Sequence, residues 1–203
     1  MYQDIFVLAT LNFEKNGYFV EFGASDGVAL TNTHLLEKKF GWNDILSEPA
    51  KCWHQELTNN RNATICFLSG IQFRENKSGQ FSKILKSRNE YTVSTVSLND
   101  LLERYDAPKE IDYLSIDTEG TEFVIIKKFD FKKYKIAVIT IEDNENRDEI
   151  FSLLSSYGYR RVHEDLSLGI VGMFRGRLSR WYLIIIDFRL FDLPISARHP
   201  LVQ

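Results

Sequence analysis

The sequence predicts an α/β protein whose sheet is mostly parallel and covered by helices. Strand-like apolar runs alternate with helix-like amphipathic runs as far as Glu164, the pattern left by strand–helix crossovers. Two of the strand-like runs, Tyr18–Phe22 and Ile111–Ile116, lead into carboxylates and glycine: Glu21-Phe-Gly23-Ala-Ser-Asp26-Gly27 and Asp117-Thr-Glu119-Gly120. In an open α/β sheet a ligand sits at the carboxyl ends of adjacent strands, so both runs are expected to border one pocket. The 203 residues suffice for a single domain with a full-sized core over residues 1–203.

The elements follow in order. The first strand, Tyr18–Phe22, turns at Gly23. A helix starts after Asn32 or Thr33, either of which is able to cap it, carries Leu35, Leu36 and Phe40 inward and ends at Gly41. A second strand, Asp44–Ser47, stops at Glu48-Pro49, and proline suits the first turn of the next helix. That helix, to about Asn59, is expected to bury Trp53 and Leu57, and Trp42 is also placed in the core. A third strand, Thr64–Leu68, halts at Ser69-Gly70. Residues 72–90 are polar and basic without a firm period, and are read as a hairpin or lid.

Ser97-Leu-Asn-Asp100 fits a capping box, with Leu98, Leu101, Leu102 and Tyr105 following at helical spacing. The fourth strand, Ile111–Ile116, precedes a helix over Glu122–Phe129. A fifth strand, Lys135–Ile141, ends in Glu142-Asp143-Asn144. Arg147–Tyr157 is a further amphipathic helix closed by Gly158, and Tyr159–Glu164 is a strand.

Composition narrows the function classes. Hydrophobic residues make up 44% and charged residues 26%, ordinary for a globular protein. A net charge of -3 argues against general nucleic-acid binding, which needs a basic face. Cys52 and Cys66 have no metal-type spacing and are too few for a disulfide framework, so a reducing cytoplasm is the expectation. The start of the chain lacks the pattern of a signal peptide. The apolar run Trp181–Ile186 is far short of the ~20 residues that span a bilayer.

The glycine turn indicates the ligand's charge. Gly23 and Gly27 are expected to let backbone approach a ligand without Cβ clashes, yet their spacing is not the Gly-x-Gly-x-x-Gly of dinucleotide sites. A pyrophosphate would meet repulsion from Glu21 and Asp26. A cation would be welcomed, and S-adenosylmethionine carries an ammonium and a sulfonium with no phosphate. Glu48, at the tip of the next strand, is placed to accept hydrogen bonds from both ribose hydroxyls of an adenosine ligand. Ser69 and Gly70 would then border the adenine. Asn32 and Thr33 are candidates for the cofactor's amino-acid end, with plain helix capping as the competing reading.

Taken together, these stretches resemble the FkbM family of S-adenosylmethionine-dependent methyltransferases. The resemblance is carried by Gln3–Leu8, Asn16–Gly27, Thr31–Glu37, Phe40–Trp42, Ser47–Pro49, Val96–Leu102, Asp112–Glu122 and Ile139–Asn144, in matching order over roughly residues 3–166. It implies a Rossmann-like class I methyltransferase fold, with a mostly parallel seven-stranded sheet and helices on both faces. It also implies methyl transfer to oxygen, often on a sugar hydroxyl. On the same match Glu21, Gly23, Asp26, Gly27, Asn32 and Glu48 are cofactor candidates, and Ala24, Thr33, Ser69 and Gly70 join them by their place in the chain. Two departures stand out. Asp143 occupies a place where the family more often has histidine. After Ser167 the chain reads Leu-Gly-Ile-Val-Gly-Met-Phe in place of a Trp- and Asp-containing strand, so residues 168–203 are atypical. Trp181–Ile186 either replaces the missing strand or belongs to a divergent or frame-shifted terminus, and the latter leaves an inactive methyltransferase-like domain as the alternative function.

The chemistry must deprotonate a hydroxyl as the methyl group arrives. Asp117 and Glu119 are candidate general bases, with Glu142 and Asn144 orienting the acceptor, a small molecule or carbohydrate. These oxygen ligands would also suit a divalent ion such as magnesium, although no metal is assigned. The third reading is structural: Asp117, Glu119 and Glu122 lie where acids stabilise a helix start.

Overall fold

The alternating pattern folds as its period dictates in the computed structural model, which describes residues 3–68, 95–142, 145–162 and 170–174. The elements are α1 (Gln3–Thr10), β1 (Tyr18–Phe22), α2 (His34–Phe40), β2 (Asn43–Ser47), α3 (His54–Asn60) and β3 (Thr64–Cys66). Then come α4 (Leu98–Arg104), β4 (Glu110–Ile116), α5 (Glu122–Lys127), β5 (Lys135–Glu142), α6 (Arg147–Ser156), β6 (Arg160–Val162) and β7 (Ile170–Phe174). The strands form one seven-stranded sheet in the order β3-β2-β1-β4-β5-β7-β6. Pairings from β3 to β5 are parallel, whereas β7 runs antiparallel to both β5 and β6. The chain order reverses between β1 and β4, so the carboxyl ends of those two strands form the switch point at which open sheets bind ligands.

The central strands are almost wholly buried, as expected when both faces of a parallel sheet are covered. Successive residues alternate between two cores. Val20, Phe22, Leu114, Ile116, Ile139 and Ile141 pack with Leu101 of α4, Ile126 of α5 and Leu154 of α6. Phe19, Tyr113 and Val138 pack with Val7 of α1, Leu36 of α2 and Leu57 of α3. Fully burying side chains of this size is worth roughly 1.5–3 kcal/mol each. On the second face the register aligns Glu21, Ser115 and Thr140 across β1, β4 and β5. A polar row therefore crosses an apolar face one pleat below the strand ends.

Several expectations need correction. Trp53 lies at the N-cap of α3 and is only half-buried, because α3 starts later than the proline turn suggested. The third strand ends at Cys66 rather than Leu68, because its partner β2 ends at Ser47, in register with Cys66. α5 ends at Lys127, with Phe129 buried just beyond it. The seventh strand is Ile170–Phe174, the stretch that departs from the family pattern, and Trp181–Ile186 lies outside the described residues. A short apolar run bounded in sequence by Gly169 and Gly176 is enough to complete the β5 edge, whatever its sequence signature. Residues 72–90, read as a lid, also lie outside the described residues. Among the described residues no helix is long and apolar enough to cross a membrane.

Candidate active site

Where β1 ends, the backbone closes tightly onto its neighbours. Gly23 N–H donates to the Ser47 carbonyl on β2 (2.9 Å), and Asp117 N–H donates to the Phe22 carbonyl (3.2 Å). Gly23 has φ +86°, and a Cβ there would lie 2.0 Å from the Asp117 carbonyl oxygen. Glycine at 23 thus lets the end of β4 press against the end of β1. A Cβ at Gly27 would meet the side chains of Arg61 and Leu57 at 2.7 and 2.8 Å. Both glycines are required by protein packing, a reason additional to the ligand approach expected of them. Ala24 is fully buried between them.

Asp26 shapes the turn. Its Oδ1 accepts from the N–H groups of Val28 and Ala29, both at 2.9 Å. Its slight burial works against ionisation, but these backbone donors outweigh it and bring its carboxyl below the ordinary value.

Glu21 is fully buried, and its carboxylate accepts three hydrogen bonds from the next loop. Oε1 accepts from Asn32 N–H (2.7 Å), and Oε2 from the hydroxyls of Thr31 (2.7 Å) and Thr33 (2.5 Å). Burial pushes its pKa up, against the pull of those donors and the nearby Arg61 charge. Thr33 occupies the N-cap of α2 but makes no side-chain cap bond; Glu21 has taken its hydroxyl instead. Asn32 Nδ2 donates to Ser115 Oγ at 3.0 Å, while its buried Oδ1 has no hydrogen-bond partner among the described residues. Buried polar atoms are rarely left in this state, and an unsatisfied acceptor beside the switch point fits a ligand bearing N–H donors.

Glu48 leans from the tip of β2 toward the glycine turn. Oε2 accepts from Ser25 N–H (2.8 Å) and Oε1 from Ala50 N–H (2.7 Å). Each carboxylate oxygen keeps a further lone pair, so a pair of hydroxyls still has acceptors there. Burial raises the Glu48 pKa, with both amides opposing. Beside it, His54 Nε2 lies 3.1 Å from the Glu48 carbonyl oxygen, and its ring sits 4.1 Å from that of Phe67.

Asp117, Glu119 and Glu142 converge, with one carboxylate oxygen from each lying within 4.8 Å of the others. Burial, followed by the charges of Glu119, Glu122 and Glu21, raises Asp117 to about 6. Burial and then Asp117, Glu119 and Glu122 raise Glu142 to about 7. Glu122 is spent locally: its Oε1 accepts from Thr118 N–H (2.8 Å), Thr118 Oγ1 (2.9 Å) and Gly120 N–H (3.0 Å), fixing the loop that displays Glu119. Such an all-oxygen set is able to share a proton, accept one from a substrate, or hold a hard divalent ion.

Asn144, Ser69 and Gly70 lie outside the described residues. The structure brings together the ends of β1 and β4 at Gly23 and Asp117, and those of β4 and β5 at Asp117 and Glu142. Thr31, Ser115 and Arg61 join the site without having been foreseen. Thr31 and Ser115 carried no distinguishing spacing, and Arg61 stood in an apparently ordinary helix end.

Comparison with known proteins bears on the family and the fold. A family model described as the methyltransferase FkbM domain matches residues 21–161. Among curated proteins, none matches the chain. Among solved structures, precorrin-6y C5,15-methyltransferase from Geobacter metallireducens GS-15 is similar at TM-score 0.50 and 12% identity, covering 85% of this chain and 87% of that one. The METTL16 MTase domain is similar at TM-score 0.52 and 10% identity, covering 85% of this chain and 65% of that one. At these identities the likeness speaks for the fold.

Proposed function

The chain belongs to the methyltransferase FkbM family, and from that premise we propose that it transfers the methyl group of S-adenosylmethionine to a hydroxyl of a sugar or related small molecule. The observation that carries this reading is the convergence of Asp117, Glu119 and Glu142 beside the switch point. Around the glycine turn the residues fit the cofactor: Glu48 offers lone pairs to ribose hydroxyls, Asn32 Oδ1 offers an unsatisfied acceptor to the ammonium, and the surrounding acids suit a cation. When bound, the cofactor supplies a methyl group already activated by its sulfonium charge.

The chain's own residues supply alignment and a base. Glu48 and Asn32 would hold the cofactor, whose methyl group would pass to the acceptor oxygen in exchange for its bond to sulfur. The hydroxyl proton passes to the Asp117 carboxylate. A carboxyl lifted to about 6 is still mostly ionised at neutral pH and is a stronger base than an ordinary aspartate. Glu142 and Glu119 orient the acceptor. With only free cysteines among the described residues, the reading includes a reducing, cytoplasmic setting.

A second reading is favoured by the same three carboxylates. They would hold a divalent ion that binds the acceptor oxygen directly, and Asp117 would then be a ligand rather than a base. The inactive alternative depended on a damaged sheet edge or substrate wall, and Ile170–Phe174, paired with β5 and β6, speaks against the damaged edge. Calorimetric titration with S-adenosylmethionine, followed by radiolabelled methyl transfer to a panel of sugars with and without magnesium, tests the proposal. Absence of binding overturns it; binding without transfer to any hydroxyl acceptor overturns the O-methyl assignment. Transfer abolished by a chelator and restored by magnesium selects the metal reading.

A further inference from the structure

We propose that Arg61 is a positioning residue for the cofactor, acting through the loop of residues 27–33 that it grips from behind. This rests on the cofactor-site reading above. Arg61 is 3% exposed. Nη1 donates to the Gly27 carbonyl (3.2 Å) and to Thr31 Oγ1 (3.1 Å), and Nη2 donates to Thr33 Oγ1 (3.0 Å). Nε donates to Glu37 on α2, and Nη2 lies 3.7 Å from Asp44 Oδ2 on β2. One side chain thus ties three points of a single loop to two neighbouring elements.

Hydrogen-bond chemistry makes this a directed chain. A guanidinium only donates and an ionised carboxylate only accepts. The hydroxyls of Thr31 and Thr33 stand between Arg61 and Glu21, and each carries one proton. Accepting from Arg61 leaves that proton pointing at Glu21, so the orientation of both hydroxyls is determined. Asn32, between them, is held by its N–H to Glu21 and by Nδ2 to Ser115, which fixes the position of its open Oδ1. Glu21 holds the loop from the sheet and Arg61 holds it from the helix layer. Without the fork, the loop loses half of its restraint at the residue placed to meet the cofactor's ammonium.

Lysine cannot replace this fork. Its ammonium is a compact point charge, unable to span Glu37, the Gly27 carbonyl and both threonine hydroxyls. The test compares the wild-type protein with Arg61→Lys, Thr31→Val and a control, Leu154→Ala, which opens a cavity in the core on the opposite face. S-adenosylhomocysteine affinity is measured by calorimetry well below every variant's melting temperature. Arg61→Lys is expected to weaken binding about ten- to a hundredfold, the range typical when an outer partner that orients a ligating group is lost. Thr31→Val is expected to weaken it in the same direction. Leu154→Ala lowers the melting temperature yet keeps wild-type affinity. Equal loss in Arg61→Lys and Leu154→Ala assigns Arg61 a general stabilising role and overturns the inference. Should Arg61→Lys fail to fold, unchanged affinity in Thr31→Val overturns it equally. No binding by the wild-type protein refutes the cofactor-site reading first, and this inference with it.

Discussion

Replacing Gly23 by alanine tests how closely the two acid-tipped strands are pressed together. A Cβ would sit 2.0 Å from the Asp117 carbonyl oxygen, and real Cβ contacts below 3.0 Å essentially do not occur, so the end of β4 must retreat by at least 1.0 Å. That movement strains two strand-end hydrogen bonds, Gly23 N–H to Ser47 and Asp117 N–H to Phe22, worth about 1 kcal/mol each. The left-handed φ adds about 1–2 kcal/mol for any residue with a Cβ. The sum is about 3–4 kcal/mol, against a total stability of roughly 5–15 kcal/mol for a domain. In a chain of this length it corresponds to a fall of about 10 °C in Tm. Gly120→Ala is the internal control. Gly120 also has positive φ (+109°), but nothing lies within 4 Å of its added Cβ, so only the conformational part applies. Urea denaturation of both variants separates strain from collision. Equal losses, or a loss under about 1 kcal/mol for Gly23→Ala, would refute the claimed contact between the strand ends.

The remaining predictions concern charge and chemistry. Asp117→Asn should retain S-adenosylmethionine binding while methyl transfer falls about 10²–10⁴-fold, the range of a lost general base; unchanged turnover in a radiolabel assay would remove Asp117 from the chemistry. Asp117 and Glu142 have folded-state pKa values raised to about 6 and about 7. The folded protein therefore holds more protons than the unfolded chain between about pH 4 and 7, and stability should fall as pH rises through that window. A series of thermal melts checks the sign, and Glu142→Gln should flatten the slope; a slope identical to wild type would show that Glu142 titrates normally. Glu21→Ala should cost about 3–5 kcal/mol in denaturant unfolding, because it leaves the buried Thr31 and Thr33 hydroxyls and the Asn32 N–H without their shared acceptor, each unsatisfied donor costing about 1–3 kcal/mol. A loss below about 1 kcal/mol would mean that the carboxylate is not the hub of this network.

Much of the scaffold was readable from periodicity. β1 falls exactly where the apolar run Tyr18–Phe22 placed it, and Ser97 caps α4 by accepting from Asp100 N–H at 3.1 Å, as the capping box required. Local pattern determines such elements, so local reading finds them. The site was legible in its acids but not in how they are occupied. Glu21 was read only as an acid beside the ligand; the structure adds that it accepts hydrogen bonds from Thr31, Asn32 and Thr33. That network joins residues 21, 31, 33 and 61, whose separations have no common period, and only the fold brings them into contact. Thr33 illustrates the same limit. Its position announced a helix cap, in which the hydroxyl oxygen accepts from a helix N–H; here that oxygen accepts from Arg61 and donates its proton to Glu21 instead. β7 escaped notice because an antiparallel closing strand needs only apolar residues and a free edge, neither of which is a motif.

The strand order has a consequence for synthesis of the chain. Among the described residues β6 pairs with the sheet through β7, which is the later of the two to leave the ribosome. Until Phe174 has emerged, the outer flank of β5 presents a row of free amide and carbonyl groups running from Val138 to Glu142, and β6 has no place to dock. An open flank of this kind is a template for pairing with another chain. During translation the molecule therefore passes through a window of self-association that closes with a five-residue segment, and substitutions that slow the docking of Ile170–Phe174 should reduce soluble yield even where the finished protein is stable.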